Sequence, residues 1–325
     1  MTADSGNMNL QARAACLLAD WGSTHLRLWL VDEALSVLHR ESGPQGQAGL
    51  SPEDYAPILT AHLDRHGLPR DLPIVICGMA GAVAGWKEAP YLDCPADLTA
   101  LADHAIPTSD KLPRCVILPG VAVRDGDHPD AMRGEETQCL GAHISGAGDG
   151  WICLPGTHSK WARLGNGVIE SFTTYMTGDL YAALGRHGAL AGLMGQHDNG
   201  ASSGDGDPVA AHLPAFDAMV RTALADGGGS WDRLFGLRAA VVTGQDDGAA
   251  TAARLSGLLI GAEIAHIRGR IDGPVTIIGD PALAGLYGRA LRAAGITHAM
   301  LDAETVTIAG LGAVARQLAG RKTGT

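Results

Sequence analysis

A chain of 325 residues, 46% of them hydrophobic, carries more apolar material than one core usually takes, so two domains are expected. Its formal net charge of −11 argues against a nucleic-acid partner, which needs a surplus of Lys and Arg, but not against a nucleotide, for which a local backbone cradle suffices. Aromatic residues make up only 4%, so the cores are built from Ala, Val, Leu and Ile, as α/β sheets often are.

The six cysteines, at 16, 77, 94, 115, 139 and 153, contain no Cys-x-x-Cys pair and fit neither a zinc site nor a disulfide framework. Met1 to Arg13 is polar and lacks an apolar signal core, and the longest apolar run, near Leu255 to Ile264, is about half a membrane span. A cytoplasmic protein without a membrane partner is expected.

Leu17 to Leu30 reads as an apolar run, a polar Asp20-Trp21-Gly22-Ser23-Thr24 turn and a second, alternating apolar run, a β-hairpin. Such a turn can bring backbone N–H groups and hydroxyls onto a phosphate, and the acid at its start can hold a hydrated Mg²⁺. It can equally be a hairpin whose Asp and Ser satisfy their own turn. A third strand near Ser36 to His39, a loop over Gly43 to Leu50 and a helix over Pro52 to His66 follow. Leu72 to Cys77 is a short buried strand ending in the turn Gly78-Met79-Ala80-Gly81-Ala82, placed where α/β sheets bind ligands.

Cys115 to Pro119 is the next strand. Arg133-Gly134-Glu135-Glu136-Thr137-Gln138 then opens a helix through about Ser145. Glutamates at a helix start can simply complement its dipole, or one of them can be a base or organise metal-bound water. Gly146 to Gly150 reads as a linker and hinge between domains 1–147 and 148–325.

The first hairpin is echoed by Trp151 to Leu164, again a strand, a short Gly156-Thr157-His158-Ser159 turn and a strand. Thr173 to Asp179 leads into a helix, Gln196 to Pro208 is a Gly/Ser/Asp-rich exposed loop, and helical patterns cover about 209–225 and 249–269. A strand at Val275 to Ile278 runs into Gly279-Asp280-Pro281-Ala282 and a helix to about Ala294, a unit suited to an anion or a nucleoside. It is neither Gly-x-Gly-x-x-Gly nor a Lys-containing phosphate loop. Ala309 to Ala313 reads as a turn before a closing helix.

The three elements, in this order, resemble the sugar-kinase, actin and heat-shock ATPase superfamily. That resemblance implies an α/β protein of two similar ribonuclease-H-like domains, each a mixed sheet flanked by helices, with the ATP and substrate cleft between them. The first hairpin would grip the γ-phosphate side of ATP and the second the β-phosphate side.

A closer resemblance, running from about residue 16 to 318, is to the 2-dehydro-3-deoxygalactonokinases. It rests on Asp20-Trp21-Gly22-Ser23-Thr24, Cys77-Gly78-Met79, Gly85-Trp86-x-Glu88-Ala89-Pro90-Tyr91 and Met132-Arg133-Gly134-Glu135-Glu136-Thr137-Gln138. Leu154-Pro155-Gly156-Thr157-His158-Ser159-Lys160-Trp161, Leu255-Ser256-Gly257-Leu258-Leu259-Ile260-Gly261 and Ile278-Gly279-Asp280 complete it. The resemblance implies ATP-dependent phosphorylation of the 6-hydroxyl of 2-dehydro-3-deoxy-D-galactonate, with Mg²⁺. The gluconate epimer as substrate, a phosphatase of the same superfamily and a non-catalytic nucleotide-binding module stay open as alternatives. A homodimer would be unsurprising.

On this reading Asp20 holds Mg²⁺, while Gly22, Ser23 and Thr24 bracket the γ-phosphate. Gly156, Thr157, His158 and Ser159 contact the β- and γ-phosphates with Lys160 as a charge partner, and Gly279, Asp280 and Ala282 line the nucleoside pocket. In-line phosphoryl transfer needs a carboxylate base; Glu135 is favoured over Glu136, with Asp179 a third candidate. Arg133 suits the sugar-acid carboxylate. Gly78, Met79, Trp86 and Tyr91 would shape the sugar pocket, although core packing explains the three side chains equally well. The apolar run Gly81-Ala82-Val83-Ala84-Gly85 departs from the polar chemistry expected of a sugar-side turn.

Overall fold

Leu17, Leu18, Ala19 and Trp21 are all buried, so β1 (Cys16–Trp21) is covered on both faces and lies inside a sheet. The computed structural model describes residues 10–109, 111–124, 127–147, 149–194, 207–229 and 231–321. β2 (Leu26–Val31) and β3 (Val37–Gly43) follow β1 as antiparallel neighbours, and helix α1 (Tyr55–Arg65) leads to β4 (Ile74–Gly78), which lies parallel to β1. β5 (Tyr91–Asp93), β6 (Ala96–Asp97), β7 (Ile106–Ser109) and β8 (Leu112–Ile117) come next, giving a six-stranded sheet in the order β3-β2-β1-β4-β8-β7. β9 (Gly120–Val123) and β10 (Asp130–Met132) form a small second sheet with β5 and deliver the chain to α2 (Glu135–Ile144).

Beyond α2 the pattern repeats. β11 (Gly150–Leu154), β12 (Ser159–Gly165) and β13 (Val168–Tyr175) are followed by helices α3 (Thr177–His187), α4 (Leu213–Ala225), α5 (Trp231–Val242) and α6 (Thr251–Ile267). The chain then alternates β14 (Val275–Gly279), α7 (Pro281–Ala293), β15 (His298–Asp302) and α8 (Ala303–Gly320). This sheet runs β15-β14-β11-β12-β13-β6. Its first five strands match β8-β4-β1-β2-β3 one for one, with β14 parallel to β11 as β4 is to β1.

The chain divides into two compact units. One takes Met1–Asp149, Ala162–Phe172 and Leu301–Thr325, and the other Gly150–Trp161 and Thr173–Met300. A single cut in the sequence therefore does not separate them. In the first unit, α1 covers one face of the sheet, with Tyr55, Leu59 and Leu63 packed on Leu17, Ala19, Trp21, Ile74 and Ile76. Helix α8 packs on β1 and β4 and against α2. In the second unit, α4 and α6 approach closely, because a Cβ at Gly257 would lie 2.3 Å from the Phe216 carbonyl oxygen.

The expected turn at Ala309 to Ala313 is instead the interior of α8, and its glycines serve packing rather than chain reversal. Helix α5, with an exposed Trp231 and Phe235, has no counterpart in the sequence expectations. Gly148 of the expected linker and most of the 196–208 loop lie outside the described residues. All six cysteines are free thiols, and no described helix is long and apolar enough to cross a membrane.

Candidate active site

In the first unit three chain segments converge. The parallel pairing of β1 with β4 sets Asp20 beside Cys77 and Trp21 beside Gly78. Gly78 has φ +88°, and a Cβ there would lie 2.6 Å from the Trp21 carbonyl oxygen, so only glycine fits. Gly134, before α2, stands so close that its own Cβ would touch the Gly78 Cα at 3.4 Å. Asp20, Gly78 and the glutamates at the start of α2 thus share one corner at the carboxyl ends of parallel strands, where α/β sheets bind ligands.

Asp20 Oδ2 accepts from the Arg27 guanidinium at 2.8 Å, and the Cys77 thiol lies 3.8 Å from Oδ1. Burial raises the Asp20 carboxyl above the ordinary range; Arg27 opposes this and the charge of Glu135 adds to it. The Asp20 carboxylate offers hard oxygen donors of the kind Mg²⁺ takes. The adjoining turn exposes the hydroxyls of Ser23 and Thr24, while its Gly22 and Ser23 carbonyls are taken by the N–H groups of Gln47 and Ala48.

The adjacent glutamates differ. Glu135 is half-buried and accepts from the Arg133 backbone N–H at 3.1 Å. Glu136 has no exposed surface, and burial first, then the charge of Glu135, pushes its carboxyl up to about 8. Its Oε2 accepts from the Gly134 N–H at 2.7 Å.

Arg133 donates from Nη2 to the Ala89 carbonyl at 2.8 Å and from Nε to the Tyr91 hydroxyl at 3.3 Å, and its guanidinium stacks 4.1 Å above the Tyr91 ring. Its Nη1 is buried and finds no partner among the described residues. Tyr91 therefore orients the arginine. The Gly81 departure has a local cause, since a Cβ there would lie 2.8 Å from this Nη1. Trp86 stacks on Tyr55 at 5.7 Å and packs against the core of the first unit, and Met79 sits half-buried in the turn after β4.

In the second unit the turn between β11 and β12 leads into a cleft of about 750 Å³. Gly156 and Thr157 line it together with Thr177 and Gly178 from the start of α3, Ser256 from α6, and Tyr287 from α7. That volume lies within the range of small-molecule pockets. Ser159 turns inward: its hydroxyl donates to Glu263 Oε1 at 2.6 Å, as does the Trp161 indole N–H. The other oxygen of Glu263 accepts from the Thr177 hydroxyl and, at 2.8 Å, from the Tyr287 hydroxyl. One fully buried carboxylate thus ties together β12, α3, α6 and α7. Burial raises its pKa, and the four donors pull it back toward the charged form.

His158 pairs with Asp179 at 2.8 Å, both about half exposed. Strand alternation sends Lys160 to the face opposite Ser159 and Trp161, where it is buried with Nζ 3.4 Å from the His158 carbonyl. Asp280 caps α7, accepting from the Ala282 and Leu283 N–H groups, and the cleft is lined from α7 by Leu283, Leu286 and Tyr287 rather than by Gly279, Asp280 or Ala282. Sequence reasoning passed over Thr177, Tyr287 and Glu263. The available signal was Glu263 as the one acid in α6, within the apolar stretch from Leu255 to Ile267.

Two sheets with the same strand order, one opening at Asp20 and the other at Gly156, define a two-unit α/β fold. The chain matches a crystal structure from Sinorhizobium meliloti named for a 2-dehydro-3-deoxygalactonokinase, with a TM-score of 0.82 and 39% identity, over 93% of this chain and 96% of that one. The activator of 2-hydroxyisocaproyl-CoA dehydratase from Clostridium difficile, with bound ADPNP, shares the fold at TM-score 0.50 and 12% identity, over 95% and 97% of the chains. The family model for 2-keto-3-deoxy-galactonokinase matches residues 20–314. A curated 2-dehydro-3-deoxygalactonokinase homologue from Rhizobium meliloti (strain 1021) is 42% identical over 92% of this chain and 96% of the relative. The 2-dehydro-3-deoxygalactonokinase of Escherichia coli (strain K12) is 32% identical over 94% and 99%. The chain belongs to the 2-keto-3-deoxy-galactonokinase family, whose named activity is that of a sugar-acid kinase.

Proposed function

We propose that this protein transfers the γ-phosphate of ATP to the 6-hydroxyl of 2-dehydro-3-deoxy-D-galactonate. The observation that carries the reading is similarity over nearly the whole chain to relatives named for that activity. The repeated strand order supports the assignment of both units as ribonuclease-H-like.

Phosphoryl transfer asks for positioning and for neutralisation of charge more than for covalent help. In this reading the 750 Å³ cleft takes the nucleoside, with Leu283 and Leu286 against the base. Gly156, Thr157 and the start of α3 meet the phosphates, where backbone N–H groups and hydroxyls favour an anion. Glu263 is a positioning residue, because its hydrogen bonds fix Ser159 and Thr177 at that turn. Lys160, held at the His158 carbonyl, supplies positive charge beneath the turn, and Asp280 contributes through its cap on α7.

Asp20 would hold Mg²⁺, which when bound would supply positive charge against the triphosphate. Ser23 and Thr24 offer hydroxyls to the γ-phosphate. Glu135 accepts the proton of the attacking hydroxyl, whereas Glu136, carrying its own proton, supports the Gly134 turn. The buried, unpartnered Nη1 of Arg133 is the candidate donor to the sugar-acid carboxylate. The test is ADP release with ATP and Mg²⁺ in the presence of 2-dehydro-3-deoxygalactonate, its gluconate epimer or no sugar. Release with the galactonate acid alone is expected. Equal release with both acids would undo the stereochemical assignment, and release independent of sugar would undo the kinase reading.

A further inference from the structure

Away from the Asp20 corner, the edge strand β3 and helix α1 bring an unusual set of side chains together. His39 and Glu41, two residues apart, share a face of β3, and His62 of α1 lies four residues before His66, the C-cap of that helix. One potential ligand atom from each of His39, Glu41 and His66 lies within 4.8 Å of the others. The His39 and His66 ring centroids are 4.4 Å apart, and those of His62 and His66 are 4.8 Å apart. Beside them a cavity of about 150 Å³ is lined by Glu41, His62 and Arg65.

Three imidazoles rarely crowd together for packing alone, since each carries polar nitrogens that need partners. Here Nε2 of His62 and Nε2 of His66 are buried and find none among the described residues. Nδ1 of the same His62 contacts Glu41 Oε2 at 2.9 Å, an arrangement that steers a ligating carboxylate from behind.

The geometry points to a second metal site, for a borderline divalent ion such as Zn²⁺, with His39, Glu41 and His66 as ligands and His62 as the positioning residue behind Glu41. Imidazole donors separate it from the all-oxygen Asp20 corner, which suits Mg²⁺. Donors around an ion with bonds of roughly 2.1 Å stand about 3.4 Å apart, so a pair as far apart as 4.8 Å must close by about 1.4 Å. Among the described residues, the cation that competes for Glu41 is the Arg65 guanidinium, 2.9 Å from both oxygens and itself 59% exposed, so it can swing into solvent. A bound ion would clip the edge strand to α1, whatever substrate the protein uses.

The experiment uses the full-length chain without a purification tag, stripped with a chelator and titrated with Zn²⁺ by calorimetry, with Co²⁺ as a spectroscopic probe. One equivalent per chain is expected, with the visible bands of a low-coordinate Co²⁺ site and a rise in melting temperature. His39→Gln and His66→Gln should abolish saturable binding, and His62→Gln should weaken it about 10- to 100-fold. Arg65→Ala should tighten binding severalfold by removing the competitor, an effect that histidines with a purely structural role would not produce. The proposal is overturned by no saturable binding to the parent chain, by binding that survives His66→Gln together with Glu41→Gln, or by Arg65→Ala leaving the affinity unchanged.

Discussion

Glu136 has no exposed surface and keeps its proton up to about pH 8, whereas unfolded glutamate releases it near 4.5. A folded-state pKa raised in this way contributes stability that is fully present below pH 4.5 and is lost as pH rises through 8. Glu136→Gln removes this dependence. Between pH 5 and 8 the parent chain should therefore lose stability relative to the variant, at about 1.4 kcal/mol per pH unit at most; urea midpoints at the two pH values read it directly. Glu135, half-buried at the same helix start, carries the opposite expectation. Glu135→Gln should lower kcat on the order of 10²- to 10⁴-fold with little change in KM, checked in the coupled ADP assay. The sequence offered both acids as a pair, and burial is what separates them. In the second unit, Glu263→Ala would strand four buried donors and should cost roughly 3–5 kcal/mol in a denaturation experiment. Its position was readable as the lone acid of its helix, but its partners come from strands and helices as much as 104 residues away, which local pattern does not reveal.

Among the elements, the two hairpins and the strands β1, β4, β11 and β14 were legible because buried runs and polar turns alternate plainly along the chain. The Gly-rich interior of α8 was not, since glycine in isolation signals a turn. Close helix packing overrides that signal. A Cβ at Gly141 of α2 would fall 1.8 Å from the Val306 carbonyl oxygen, and one at Gly310 of α8 would fall 2.1 Å from that of Thr137. Gly141→Ala must push the helices apart, costing roughly 1–3 kcal/mol and shifting the helix that begins at Glu135, so kcat should fall as well. Gly285, within α7, has nothing within 4 Å of its would-be Cβ. Gly285→Ala should therefore stabilise by about 0.5–1 kcal/mol and leave turnover unchanged. Melting curves of the two variants, shifted in opposite directions, test whether packing or propensity governs each glycine.

On the scale of the whole molecule, the strand orders repeat, and the units change over between Asp149 and Gly150, with Ala162–Phe172 and Leu301–Thr325 returned to the first unit. The sequence places a boundary at the Gly-rich stretch near residue 147, because composition marks linkers and carries no record of contacts made 160 residues later. Helix α8 makes such contacts: it buries Val306, Leu311 and Val314 and packs on β1, β4 and α2 in the first unit. Ending the chain at Met300 discriminates between the two divisions. If residues 148 onward formed a self-contained second domain, the deletion would damage that domain. The packing of α8 predicts the reverse, with amide protection lost in β1, β4 and α2 and kept in β14, α4 and α6, whose core around Phe216, Val220 and Ile264 does not involve α8. Hydrogen exchange on the shortened chain reads this element by element. Protection retained in β1 and β4 would mean that the first unit closes its core without the C-terminal helix.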